Sequence, residues 1–129
     1  MFLSNDLKDM TAYLGEALPR PLGPQILLKL YVPEQQMRTK DGAKTSILTT
    51  ESAREEHIYQ SLTGLVLALG PDCYKADSFK NWHQPHIGQW VIFRPNSGVR
   101  FNYKGVPLRF VYDDSVMAVI GDPSCVTRN

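Results

Sequence analysis

The sequence predicts an all-β domain, a sandwich or small barrel, carrying a short N-terminal helix. Three observations predict it. Short apolar stretches recur at residues 25–32, 64–70, 88–93, 99–103, 106–112 and 115–120, most of them alternating with polar residues as half-buried strands do. Turn chemistry separates them, including Gly70-Pro71-Asp72, Pro95-Asn96-Ser97-Gly98 and Asp113-Asp114. No helical period intervenes between one strand and the next, which sets the pattern apart from an α/β one. A chain of 129 residues holds one domain with a real core, so the expected division is a helical extension at 1–20, the β domain at 21–121 and a tail at 122–129.

Taken in order, Ser4 and Asn5 are good N-cap types, and Leu7, Met10, Leu14 and Ala17 follow at helical spacing. Asp6 and Asp9 fall in the first turn, where the helix dipole favours them, and Pro19 and Pro21 end the pattern. So short a helix is marginal alone in water, so Leu7, Met10 and Leu14 must dock, either as a strap on the chain's own sheet or against another subunit or partner. Ile26, Leu28, Leu30 and Val32 alternate with Gln25, Lys29 and Tyr31 as a half-buried strand, and only Leu27 blurs the alternation. The stretch 64–70 is apolar on both faces, as a central strand is.

Residues 73–87 have neither strand nor helix period and read as an irregular excursion with large aromatics at Tyr74, Phe79 and Trp82, residues fitted to a subunit or partner contact. Val99, Phe101 and Tyr103 then alternate with Arg100, Asn102 and Lys104, and beyond Gly105 the residues Val106, Leu108, Phe110 and Tyr112 alternate around Arg109. That predicts a hairpin with one apolar and one basic face.

Composition narrows function. With 14 basic and 13 acidic residues the formal charge is +1, so no global field draws the chain to nucleic acid or an anionic membrane. No apolar run is long enough to span a bilayer, and residues 1–10 lack the make-up of a signal peptide, so a cytoplasmic protein is expected. Cys73 and Cys125 have no metal-ligand spacing and are expected as free thiols. His83 and His86, with Cys73 nearby, fit no standard zinc pattern, so no metal and no cofactor is expected. His57 and Ser61 beside Glu55 and Glu56 show no nucleophile turn or orienting acid, and no dinucleotide or phosphate-loop motif occurs, so no enzyme is expected. Arg94, Arg100, Lys104 and Arg109 read as a solvated surface rather than a nucleic-acid face.

The outstanding feature is the polar stretch at residues 33–57, about two dozen residues between the first two strands and longer than an ordinary connection in a compact domain. It carries one small apolar island, Ser46-Ile47-Leu48.

In this order and with these gaps, Pro21-Leu22 leading into Ile26-Leu27-Leu28-Lys29, the stretch 49–53 after the island, and the runs 64–70, 87–93 and 114–120 resemble the GroES-type co-chaperonins, the chaperonin-10 family, over roughly residues 21–120. The resemblance implies a small GroES-like barrel with a long loop after the first strand, assembled side by side into a ring, usually of seven. It implies that the loop is a mobile one whose apolar tripeptide docks on a large ATP-driven chaperonin. By position that tripeptide is Ser46-Ile47-Leu48. The sequence departs from the family where Lys44 and Thr45 replace two glycines and Ser46 replaces an apolar residue, giving a stiffer hinge and a smaller tip. The texture of residues 93–98 and 103–105 is similar to bacteriophage-encoded members.

Burying Ile47 and Leu48 would contribute roughly 1.5–3 kcal/mol each, while ordering the loop costs about 1–2 kcal/mol per fixed residue. One arm therefore binds feebly, and a ring of arms, each raising the effective concentration of the next, binds tightly. The tripeptide could instead pack on its own barrel. Two functions follow as expectations: a non-catalytic co-chaperonin ring in the bacterial cytoplasm, with the large chaperonin as partner, or a bacteriophage virion structural protein such as a head decoration or joining protein, with capsid proteins as partners. Neither involves nucleic acid or membrane.

Overall fold

The computed structural model describes residues 4–15, 18–32 and 62–126. A helix, α1 (Leu7–Leu14), precedes six strands: β1 (Gln25–Leu30), β2 (Thr63–Leu69), β3 (Trp90–Phe93), β4 (Val99–Tyr103), β5 (Val106–Tyr112) and β6 (Val116–Ile120). All pair antiparallel in one sheet of order β4-β5-β1-β2-β3-β6. The expected all-β class is the observed one.

The sheet curls. Ile26, Leu28 and Leu30 of β1 share a core with Val66 of β2, Val91 and Phe93 of β3, Val111 of β5 and Val116 of β6. In a flat sheet β5 and β3 would stand three strand spacings apart, about 14 Å at about 4.8 Å each, yet the Arg109 guanidinium of β5 lies 5.1 Å from the Phe93 ring centroid. The two halves of the sheet therefore wrap one interior in the manner of a small barrel. The basic hairpin face expected from alternation is corrected here. Arg109 is buried on the concave side, with burial and then Arg100 depressing its pKa, and the opposite face of the hairpin (Val106, Leu108 and Phe110) lies against α1.

The convex face is covered too. Met10 and Leu14 of α1 pack with Leu27, Leu65, Leu67, Val106 and Leu108, and are 0 % and 1 % exposed. This corrects the half-buried reading of the first strand: every residue from Ile26 to Leu30 is buried, because even positions face the interior and Leu27 and Lys29 lie under the helix side. A strand with covered faces carries an apolar run, which accounts for Leu27.

The helix start also differs from expectation. Asp6 is the N-cap, its carboxylate accepting from the Lys8 N–H at 2.8 Å, while Ser4 Oγ accepts from the Asp6 N–H and donates to Asp9. Asn5 is turned away to the end of β1. The helix stops at Gly15, whose φ of 52° ends it before the prolines do; Ala17 lies outside the described residues.

The β4–β5 hairpin closes through Lys104 and Gly105, both with positive φ (54° and 79°), as a two-residue turn matched to strand twist requires. Before it, Gly98 has φ of 71°, and a Cβ there would run into the Phe110 carbonyl oxygen, so the turn needs glycine.

Candidate partner-binding surfaces

The long stretch after β1 is fixed at its roots. The Tyr31 N–H donates to the Thr63 carbonyl at 3.1 Å and the Phe93 N–H to the Leu62 carbonyl at 3.0 Å. On the other side Asn5 grips Val32 through both backbone groups: its Nδ2 donates to the Val32 carbonyl at 2.6 Å, and its Oδ1 accepts from the Val32 N–H at 3.0 Å. Val32 and Leu62, which flank the stretch, thus both stand beside paired backbone at the same end of β1 and β2. Ser46, Ile47 and Leu48 lie outside the described residues.

Of the other expected contact residues, Met10 and Leu14 are covered within the chain, and Leu7 packs against the same cluster. Tyr13, a neighbour on α1, donates its hydroxyl to the Lys104 carbonyl at 2.8 Å and ties the helix to the hairpin tip.

Tyr74, Phe79 and Trp82 come together. Phe79, ending a 3₁₀ turn (Asp77–Phe79), meets Tyr74 and Trp82 edge-on, with centroids 4.9 and 4.8 Å apart. Tyr74 holds the cluster to the barrel. Its hydroxyl donates to the Asp113 carbonyl at 2.7 Å and its N–H to the Asp113 carboxylate at 2.9 Å, in a strained φ of 60°. Burial first, and then Asp113, raises the Tyr74 pKa, so the phenol stays protonated. Phe79 is buried, whereas Trp82 stands 53 % exposed with Ile87 also exposed nearby in sequence. The excursion is therefore a small aromatic core with one indole presented outward.

Two features were not singled out from the sequence. The first is β6, which among the described residues is an edge strand paired with β3 and leaves Met117 and Val119 56 % and 47 % exposed. Their signal was apolar character on both faces of the last strand. The second is Lys29, the largest side chain with no exposure among the described residues, whose Nζ donates to Asn5 Oδ1 at 2.7 Å. Burial lowers its pKa to about 7. A lysine inside the run 26–30 was the available signal.

Cys73 is buried, with its Sγ–H directed at the Gln25 carbonyl and its pKa raised by burial, while Cys125 is exposed; both are free thiols. Among the described residues no three His, Cys, Asp or Glu side chains gather as a metal site. An open groove of about 560 Å³ runs between Ser4–Leu7 and Leu65, Gly88 and Trp90.

The model of one protein family, described as the chaperonin 10 Kd subunit, matches residues 19–120. No curated protein matches the sequence. The matched span takes in all six strands and both roots of the long stretch, and leaves α1 outside.

Proposed function

The chain belongs to the chaperonin-10 family, and from that membership we propose that it is a ring-forming co-chaperonin that caps a large ATP-driven chaperonin in a bacterial cytoplasm. Members of the family are non-catalytic, work as assembled rings and partner the large chaperonin. The observation that carries the finer reading is the rooted long stretch within the matched domain. Hydrogen bonds at Tyr31, Val32 and Leu62 fix both ends at one point of the barrel, so a ring presents one such stretch per subunit. Ser46, Ile47 and Leu48 are the contact residues by position, and the weak binding of a single tip is offset by the number of tips in the ring.

Assembly has a surface suited to it. Among the described residues β6 is an edge of the sheet and exposes Met117 and Val119, a combination that invites pairing with another chain. A side-by-side ring would cover it.

The test is functional replacement: the assembled protein is asked to stand in for a host co-chaperonin in the refolding of a client that requires the full chaperonin cycle. Refolding yield near that of the host protein supports the proposal. An assembled ring that gives none, together with a fixed copy number of the chain in purified bacteriophage particles, would turn the reading to the virion structural role.

A further inference from the structure

Helix α1 lies outside the family-matched span and is held on the barrel by three attachments. Met10 and Leu14 fill the convex apolar face, Tyr13 bonds the hairpin tip, and Asn5 bonds Val32 and Lys29. The sheet keeps a separate core on its concave side, so removal of the helix leaves that core in place. An eight-residue helix has little stability of its own, and its docking therefore rests on these contacts.

Lys29 sits at the centre of the attachment. Its register neighbours are Leu65 of β2 and Leu108 of β5, and Trp90 lies one strand beyond Leu65. The hydrogen bond that it makes goes to the neutral amide of Asn5. The charged groups of α1 are engaged elsewhere or exposed: Asp6 accepts from the Lys8 amide, Asp9 from the Ser4 hydroxyl, and Lys8 is exposed. β2 and β3 bring Leu65, Leu67 and Trp90 to this side, β5 brings Val106, Leu108 and Phe110, and Arg109 lies on the opposite face over Phe93. Among the described residues, an ammonium placed there has one amide oxygen and apolar walls in place of water.

We infer that α1 is a proton-controlled strap: it docks over the convex face when Lys29 is neutral and lifts when Lys29 takes up a proton, with Asn5 as the latch. The physical sense of the switch follows from burial, which lowers the Lys29 pKa from 10.5 to about 7 in the docked state. A lifted strap returns Lys29 toward water and toward its ordinary value. Between pH 7 and 10.5 the lifted state binds more protons than the docked one, so docking strengthens as pH rises through that window. Below pH 7 both states are protonated and the dependence flattens. Lifting uncovers Leu27, Leu65, Leu67 and Leu108.

Hydrogen-exchange mass spectrometry on the full-length assembled protein tests the inference, with peptides covering residues 4–15, 63–69 and 106–112 corrected for intrinsic exchange at each pH. In the wild type, opening of 4–15 is expected to fall by about tenfold per pH unit between pH 7 and 9, while the two strand peptides stay protected. Lys29→Met is expected to abolish the slope, and Asn5→Ala to raise opening at least about fivefold with the slope retained. A flat wild-type profile overturns the inference, as does a slope that survives Lys29→Met. So do strand peptides that open in step with the helix, since that would be unfolding of the domain.

Discussion

Replacing Met117 and Val119 of β6 together by Asp is the perturbation that bears most directly on assembly. Full burial of a Met or Val side chain contributes roughly 1.5–3 kcal/mol. With about half of each still exposed in the single chain, covering them adds roughly 1–1.5 kcal/mol apiece. The pair is thus worth about 2–3 kcal/mol per subunit contact, a factor of about 30–150 in its association constant. Two carboxylates in the same place remove that gain and add a desolvation cost. Val119 shares a face with its register partner Val91 and Met117 lies at the β3–β6 bulge, but neither belongs to the buried core, to which β6 contributes Val116, and both are about half exposed, so each barrel should stay folded with about 1 kcal/mol lost to strand propensity. Sedimentation velocity at micromolar concentration, with circular dichroism on the same samples, is the assay. The expected result is a folded monomer that no longer binds the chaperonin even with Ile47 and Leu48 intact. A double variant with the mass of the wild-type ring would refute the assignment of β6 to the contact, and a folded monomer that binds at wild-type affinity would refute the dependence of binding on the ring.

Further outcomes are expected from single changes. Gly98→Ala, which sets a Cβ against the Phe110 carbonyl at a positive φ, should lower stability by more than about 1 kcal/mol in urea titration; an unchanged midpoint would contradict the close approach. Lys29→Met should stabilise the protein at pH 7, because a fall in pKa from 10.5 to about 7 corresponds to roughly 4–5 kcal/mol of desolvation, reduced by about 1 kcal/mol for the lost bond to Asn5. The advantage should fade toward zero by pH 10, where the pH nears the ordinary lysine value of 10.5 and releasing the proton on folding costs little. Destabilisation at pH 7 would contradict it. Ile47→Ser should abolish chaperonin binding with no change in unfolding midpoint.

Much of the barrel was legible because its signals are local. Alternation in β4 and β5, the buried run of β2 and the Pro and Gly turns each report on neighbours within a few residues. What escaped depended on distant partners. Periodicity could show that Leu27 and Lys29 share a face, but not that a helix earlier in the chain would cover it. Arg109 and Arg100 had the charge expected of a solvated face, and only the curl of the sheet turns Arg109 inward over Phe93. Asn5 had the chemistry of a cap and is used instead as a clamp on Val32, while Asp6 caps the helix. Of the expected contact residues, Tyr74, Phe79 and Trp82 converge through the φ of Tyr74 and its bonds to Asp113, neither of which leaves a mark in composition. The tripeptide at 46–48 was visible as an apolar island in a polar stretch, and its role rests on position within the family pattern.

The most direct measurement of the central claim is binding of the assembled ring to a large chaperonin in the presence of adenine nucleotide, followed by co-sedimentation and by the chaperonin's rate of ATP turnover. Wild-type protein is expected to form a complex that alters turnover, and Leu48→Ser to lose it although the ring and the barrel persist. An intact ring that leaves turnover untouched and sediments alone, or a Leu48→Ser ring that binds as the wild type does, would contradict it.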